Sequence, residues 1–318
     1  MDPVIFQKLP TAEVARIVRE AGRKVCVFPI NGTRRWFMLE HRADIDSTSA
    51  EAYFQIAGRR HVELYELFFN HGIDTLLTPV FGPELLKRGD EYQRMIVPAG
   101  LLWLAHNPDF LNFYEEYDVR VRVYGDARRF FEHTEHAHVL DAFDELAQRT
   151  ASHKRFRLFL GVCAHAPAET VAAIAVRHFQ AQARLPDHRQ IVEAYYGEYV
   201  EPVDLFIGFE PPAAFDMPLI ATGGEDLYFT ISPSPYLESE ALRSILYDHL
   251  YSRKASGSYA DLSSNDWHAM SEFYAHNRRH ALGVGRRHRS GAFWYPLPQV
   301  VLPPGMADDA AVSRTESV

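Results

Sequence analysis

The sequence predicts an α/β protein with a mostly parallel central sheet and helices on both of its faces. Two observations lead to this class. Short apolar runs of strand type alternate along the chain with longer segments of helical periodicity, and turn residues separate them. This alternation favours parallel strands joined by helical crossovers. With 318 residues, of which 47% are hydrophobic, the chain can bury a full core against such a sheet.

The predicted elements follow one another in the order that this class requires. Strands are expected at 24–30, 74–80, 119–124, 155–163, 203–208 and 227–231. Helices are expected at about 50–70, 89–106, 138–150, 167–183 and 238–253, with another starting at Asn107-Pro108 in the order cap then proline. The capping-box spacing of Thr48 and Glu51 marks the start of the first of these helices. Gly223-Gly224 predicts a hairpin between the last two strands.

Composition limits the organisation and the partners. We expect a single domain over 1–305 and a disordered tail over 306–318. A net charge of −9 argues against a nucleic-acid partner. The chain start has no signal-peptide pattern, and no apolar run approaches the ~20 residues that span a bilayer, so we expect a cytoplasmic protein without a membrane span. Cys26 and Cys163 lie in apolar runs and are expected as buried thiols.

The strongest candidate site is the loop Asn31-Gly32-Thr33-Arg34-Arg35-Trp36, which follows the first predicted strand. Ligands of open parallel sheets collect at the carboxyl ends of the strands. Gly32 allows close approach of a ligand, amides at a helix start attract anions, and two guanidinium groups suit phosphate. The alternative is a polar turn with solvated arginines. A second cluster, from Phe81 to Tyr92, ends the next strand and contains Arg88.

These residues resemble the motifs of the cis-prenyltransferases. That family has a diphosphate loop of the form Asp-Gly-Asn-Gly/Arg-Arg-Trp/Phe, which Asn31–Trp36 resembles, and a Phe-Ser-x-Glu-x-x-x-Arg motif, which Phe81, Glu84 and Arg88 match in spacing. Elongating members also carry an Arg-x-Gly-Gly-Glu segment for a second diphosphate. Here Gly223-Gly224-Glu225 follows Ala221, where that arginine would stand, so the resemblance disfavours chain elongation.

Longer strings extend the resemblance, among them Tyr195-Tyr196-Gly197-Glu198-Tyr199-Val200 and Ile245-Leu246-Tyr247-Asp248-His249. Over about residues 9–295 the chain resembles a bacterial branch of this fold, the tuberculosinol/isotuberculosinol and kolavelool synthases. The resemblance implies a homodimer and Mg²⁺, although Asn31 stands where the family has an aspartate. It also implies site roles. The implied catalytic residues are Asn31, Tyr53 and Tyr92; the diphosphate-binding residues are Gly32, Thr33, Arg34, Arg35 and Arg88; the pocket residues are Trp36 and Phe81; no protein metal ligand is assigned.

The resemblance predicts a diterpene synthase. Such an enzyme ionises a bicyclic C20 allylic diphosphate and quenches the cation with water, giving an alcohol and pyrophosphate. Three alternatives remain open at this point: transfer of the same cation to a nucleoside nitrogen, a non-catalytic subunit that binds prenyl diphosphates, and residual chain elongation.

Overall fold

A computed structural model describes residues 1–41, 50–82, 99–254 and 259–303. Its strands are β1 (Val25–Val27), β2 (Thr75–Phe81), β3 (Val119–Gly125), β4 (Phe156–Val162), β5 (Leu205–Phe209), β6 (Asp226–Thr230), β7 (Gly285–Arg287) and β8 (Trp294–Pro296). Its helices are α1 (Pro3–Lys8), α2 (Thr11–Glu20), α3 (Thr33–Glu40), α4 (Ala50–Asn70), α5 (99–106), α6 (Pro108–Glu116), α7 (Ala127–Phe131), α8 (His138–Arg149), α9 (Ala168–Gln182), α10 (His188–Tyr196), α11 (Ser239–Tyr247) and α12 (Ser264–Asn277).

The first six strands form one sheet in the order β3-β4-β2-β1-β5-β6, and every ladder between neighbours is parallel. Successive side chains on a strand point to opposite faces. Cys26 therefore belongs to the core cluster under helices such as α1, α2 and α4, whereas Val25 and Val27 belong to the cluster under α9 and α10. The predicted fold class is confirmed, with helices covering both faces.

Local signals explain several helix boundaries. The Asn107 side chain accepts a hydrogen bond from the Asp109 amide at 2.8 Å, and Pro108 follows at the first helical position, as predicted for the start of α6. The helix predicted from about residue 89 is described only from 99 onward. Thr48, Tyr92 and the tail 306–318 lie outside the described residues. The two cysteines are buried free thiols, as expected.

The hairpin predicted at Gly223-Gly224 is wrong. β5 and β6 pair in parallel, from Leu205 opposite Asp226 to Phe209 opposite Thr230, so 210–225 crosses back over the sheet. The glycines instead form a local turn, in which the Thr222 and Gly223 amides donate to the Glu225 carboxylate at 3.0 and 2.8 Å. The local turn signal was therefore correct, but it does not report the direction of the next strand.

The turn at Gly223 lies at the amino end of β6. Because β6 runs parallel to the rest of the sheet, this end belongs to the edge opposite the carboxyl end of β1. The Gly223-Gly224-Glu225 segment is therefore remote from the candidate loop. Within the described part of the chain, no helix is long and apolar enough to cross a membrane.

Beyond β6, an antiparallel pair, β7 and β8, and the helix α12 form a C-terminal segment that sequence patterns did not predict. The helix begins with a capping box in which Ser263 and Asp266 exchange hydrogen bonds. It has no buried residue, and Arg286 and Arg287 on β7 are exposed. The pattern of a buried face, on which sequence prediction depends, is missing here.

Candidate active site

The candidate loop leads from the buried strand β1 directly into α3. Gly32 adopts a left-handed conformation, with φ 78° and ψ 10°, and caps the helix. A Cβ at this position would lie 2.8 Å from Phe209 Cε1 and 2.9 Å from Pro233 Cβ. Glycine is required here for both its conformation and its size. The first amides of α3 thus reach the carboxyl edge of the sheet, where helix starts attract anions.

Ser234, which follows β6, fixes the main chain of this loop. Its fully buried hydroxyl accepts a hydrogen bond from the Asn31 amide at 3.1 Å and donates one to the Pro29 carbonyl at 3.1 Å. Its own amide donates to the Asn31 carbonyl at 3.0 Å. The backbone of Asn31 is therefore satisfied, while its half-buried side-chain amide has no hydrogen bond to any described residue.

The two arginines of the loop have different surroundings. Arg34 is exposed and forms no ion pair within the described part of the chain. Arg35 donates to the carboxylate of Glu210, the residue after β5, and its guanidinium carbon lies 5.5 Å from the centre of the Phe209 ring. Arg34 is thus open to an incoming anion, and Arg35 is already held in place. Arg88 lies outside the described residues.

Thr33, the first residue of α3, connects the loop to α4. Its hydroxyl donates to the Ile30 carbonyl at 3.2 Å and lies 3.4 Å from Nε2 of His61. Burial lowers the pKa of His61 to about 4, so the ring is neutral at ordinary pH. A hydroxyl that donates to a carbonyl can still accept a hydrogen bond from the N–H of a neutral imidazole, so the two contacts of Thr33 are compatible.

Aromatic side chains of α3, α4 and α5 pack beside the loop. Trp36 is buried, with its ring 5.3 Å from that of His41. Tyr53 is half-buried and meets Phe37 edge-on at 5.2 Å, and the neighbouring Phe54 stacks with Trp103 at 6.0 Å. Trp36 and Tyr53 thus lie on α3 and α4, the helix that begins at the loop and the helix that follows it.

Phe81 has different neighbours. It is buried at the end of β2, and its ring lies 5.8 Å from that of Phe131 on α7. Its predicted pocket role stays a prediction, as does the role of Tyr92.

Two cavities, of about 310 and 410 Å³, lie around Asp126 at the carboxyl ends of β3 and β4. Their linings include Arg128, Arg129 and His165 but none of the predicted site residues. β3 and β4 are separated from β1 by β2, so these cavities are distinct from the candidate loop.

The predicted Mg²⁺ finds no protein-built site among the described residues. No group of three or more His, Cys, Asp or Glu side chains is placed to hold a metal there. Near the loop, the possible donors are the Asn31 amide and the Glu210 carboxylate, which Arg35 already occupies. Mg²⁺ is commonly held by one or two carboxylates together with substrate phosphates. Of the two donors, only Glu210 is a carboxylate, and its ion pair with Arg35 competes with a metal. The magnesium requirement stays a prediction.

Sequence reasoning missed Glu210, Ser234 and His61. Glu210 and Ser234 follow β5 and β6, the two strands that continue the sheet beyond β1. The available signal was positional, because polar residues that follow neighbouring parallel strands meet at one edge. His61 lies within α4, where one histidine in a helical pattern gives no comparable signal.

Known proteins resemble this chain over most of its length. Tuberculosinyl adenosine transferase of Mycobacterium tuberculosis is 40% identical over 288 residues, covering 89% of this chain and 95% of that protein. The chain belongs to the family of tuberculosinyl adenosine transferase. (+)-Kolavelool synthase of Herpetosiphon aurantiacus is 27% identical over 286 residues, covering 88% of this chain and 91% of that protein. No family model matches the sequence.

Solved structures support the fold assignment. Lavandulyl diphosphate synthase of Lavandula x intermedia, solved with dimethylallyl diphosphate, superposes with a TM-score of 0.51 at 13% identity, over 76% of this chain and all of that one. A probable undecaprenyl diphosphate synthase of Campylobacter jejuni gives a TM-score of 0.52 at 15% identity, over 75% of this chain and 99% of that one. The family thus has the cis-prenyltransferase fold, and its named members are enzymes of prenyl-chain chemistry.

The predicted diterpene synthase reaction is contradicted by these relatives. The better-matched one is named as a transferase to adenosine, whereas the alcohol-forming kolavelool synthase is more distant. The reason for the error is chemical. The motifs that suggested the reaction are those predicted to bind the diphosphate, and diphosphate binding is common to transfer to water and transfer to a nucleoside.

Proposed function

We propose that this chain transfers a prenyl group of the tuberculosinyl type from its allylic diphosphate to a ring nitrogen of adenosine, releasing pyrophosphate. The observation that carries the proposal is the 40% identity with tuberculosinyl adenosine transferase over 95% of that protein. The loop geometry is compatible with it, because Gly32, the start of α3 and Arg34 offer an anion site beside aromatic side chains.

In the proposed reaction the diphosphate lies against the first turn of α3. The C1–O bond breaks and its electron pair leaves with pyrophosphate. Arg34, which has no partner among the described residues, faces the charge that develops on the leaving group, and Arg35 supplies its remaining N–H donors. The nitrogen lone pair then forms the bond to C1.

Other residues prepare the site for this step. Trp36 and Tyr53 offer aromatic faces that stabilise a carbocation without reacting with it. Thr33, oriented by Ile30 and the neutral His61, can donate its hydroxyl proton to a phosphate oxygen once its hydrogen bond to the Ile30 carbonyl is exchanged. Asn31, with its side-chain amide unpaired in the described structure, is a neutral donor and acceptor for either substrate.

The proposal is tested by incubating the full-length protein with tuberculosinyl diphosphate, with and without adenosine, and reading products by liquid chromatography and mass spectrometry. We expect a prenylated adenosine that forms only when both substrates are present. A diterpene alcohol as the sole product in both incubations would overturn the proposal.

A further inference from the structure

Glu210 has an unusual backbone conformation at the edge of the sheet that carries the candidate loop. It directly follows β5, which pairs in parallel with β1 through Val27 and Phe206, so the ends of the two strands lie side by side. Its φ is 71°, in the left-handed region that residues with a Cβ rarely adopt. Such positions concentrate at functional sites and switch regions.

The contacts of Glu210 place its carboxylate next to the expected diphosphate. The carboxylate accepts a hydrogen bond from Arg35, and the two side chains remain partly open to solvent, with 35% and 39% exposed. The same arginine covers Phe209, whose ring touches the position of Gly32. A guanidinium has five N–H donors in a fixed fork, so Arg35 can hold Glu210 on one side and a phosphate oxygen on another.

A carboxylate beside a diphosphate is repelled by it; Arg35, which also faces the diphosphate, offsets only part of this repulsion, and a second positive partner would offset more. The acceptor of the proposed reaction meets this need. An exocyclic amino group donates hydrogen bonds to a carboxylate, and the base gains positive charge when its ring nitrogen bonds to C1. Within the described residues, Glu210 is the one acidic side chain hydrogen-bonded to the loop Asn31–Trp36, and Asn31 contributes no charge.

We infer that Glu210 is the carboxylate that recognises the acceptor, accepting a hydrogen bond from the exocyclic amino group of the purine while Arg35 stays on the diphosphate. The inference rests on the proposed function and narrows its acceptor class. A nucleoside with an amino group beside the attacking nitrogen, such as adenosine, is favoured over one with a carbonyl there, such as inosine. The amino protons stay on the base in the transfer step, so no proton passes to Glu210.

The test compares Glu210→Gln with the wild type, using adenosine, inosine and tuberculosinyl diphosphate as probes. Glutamine keeps the size of the side chain and still accepts a hydrogen bond from Arg35, but it removes the charge. We expect the KM for adenosine to rise by about tenfold or more, as for a lost hydrogen bond to a charged group. The preference for adenosine over inosine should fall towards one, while the KM for the diphosphate stays within about twofold.

Two further variants serve as controls, one for the loss of any nearby carboxylate and one for backbone strain at position 210. Glu40→Gln, at the far end of α3 where Glu40 bonds Tyr236 instead of the loop, should keep the wild-type preference. Glu210→Gly accommodates the left-handed backbone and should fold, but it should lose the adenosine preference as Glu210→Gln does.

The opposite pattern would overturn the inference: an unchanged KM for adenosine with a raised KM for the diphosphate means that Glu210 only positions Arg35. This outcome is separable from failure of the proposed function. If the wild type forms no nucleoside adduct at all, the proposed function fails. If the wild type forms the adduct and Glu210→Gln keeps its nucleoside preference, only the role of Glu210 fails.

Discussion

Arg34 and Arg35 are adjacent in the sequence, yet the fold gives their side chains different surroundings. Arg34 is exposed and unpaired within the described chain, whereas Arg35 is shared with Glu210. The motif predicts two arginines at this place, but it does not predict that one is unpaired and the other is held by a carboxylate. Arg35 and Glu210 are 175 positions apart, and only the strand order brings them together. Sequence patterns report neighbours along the chain far better than neighbours across a sheet.

We expect Arg34→Ala to lose about 10- to 100-fold in kcat/KM, because it removes a charge-assisted hydrogen bond to the leaving group. Steady-state kinetics with the allylic diphosphate measures this loss. Arg128→Ala is the matched control, since Arg128 is an exposed arginine paired with Asp144 at 2.7 Å, away from the loop. Equal activity of Arg34→Ala and the control would remove Arg34 from the diphosphate site.

Gly32 allows a test with a matched partner elsewhere in the chain. Gly32 and Gly223 have nearly the same φ, 78° and 80°, but a Cβ at Gly223 meets no atom within 4 Å. Gly223→Ala should therefore lose only the conformational term, about 1 kcal/mol of unfolding free energy. Gly32→Ala adds the clash with Phe209 and should lose more, together with diphosphate affinity. Urea unfolding and pyrophosphate binding compare the two variants; equal losses in both would argue against a tightly packed loop.

At the scale of elements, the loop depends on the turn after β6 as much as on its own sequence. The strand β1 and its loop were predicted from one stretch of chain. Ser234, which holds Asn31 and Pro29, comes from a segment 203 positions away. The same long-range problem produced the wrong hairpin at Gly223-Gly224, because a turn motif does not say whether the next strand runs parallel or antiparallel.

Ser234→Ala tests this dependence. The variant removes the hydrogen bond from the Asn31 amide and the one to the buried Pro29 carbonyl, and leaves these two groups only the bond between them. The loss of two hydrogen bonds should cost about 1–3 kcal/mol of unfolding free energy and raise the KM for the diphosphate. Ser244→Ala, which removes an exposed hydroxyl of α11 that is bonded to Gln7 on α1 and not to the loop, serves as control. The account of the loop is contradicted if both variants have the stability and the KM of the wild type.

For the whole molecule, three histidines that are buried or half-buried contribute to how stability depends on pH. Burial lowers the pKa of His61 to about 4 and also lowers the pKa values of His71 and His249. Unfolded histidine titrates near ~6.5, so the unfolded chain takes up protons that the folded chain refuses. The stability that these neutral rings contribute is complete above about pH 6.5 and is lost as the pH falls towards about 4.

This pH dependence is measured by urea unfolding at about pH 7.5 and about pH 5. The wild type should lose stability at the lower pH, and His61→Gln, which keeps a polar group near Thr33 without a titrating ring, should lose less. A variant that loses as much stability as the wild type would show that His61 does not contribute to the acid sensitivity.

Also at this scale, the fold was predictable and the nucleophile was not. Apolar runs and helical periodicity specify a parallel α/β sheet, and the loop motif specifies an anion. In the proposed reaction, the atom that captures the prenyl cation leaves no comparable pattern, because a single acidic residue such as Glu210, 175 positions from Arg35, forms no motif with the loop. The resemblance to an adenosine transferase, rather than any single residue, directs the choice between them.

The central claim is tested most directly by counting products in one reaction. Pyrophosphate and prenylated nucleoside are quantified together while adenosine is raised from zero to saturation over tuberculosinyl diphosphate. The account predicts that the two products approach equal amounts at saturating adenosine and that Arg34→Ala lowers both in parallel. Pyrophosphate release that is independent of adenosine, with alcohol as the matching product at every concentration, would contradict it.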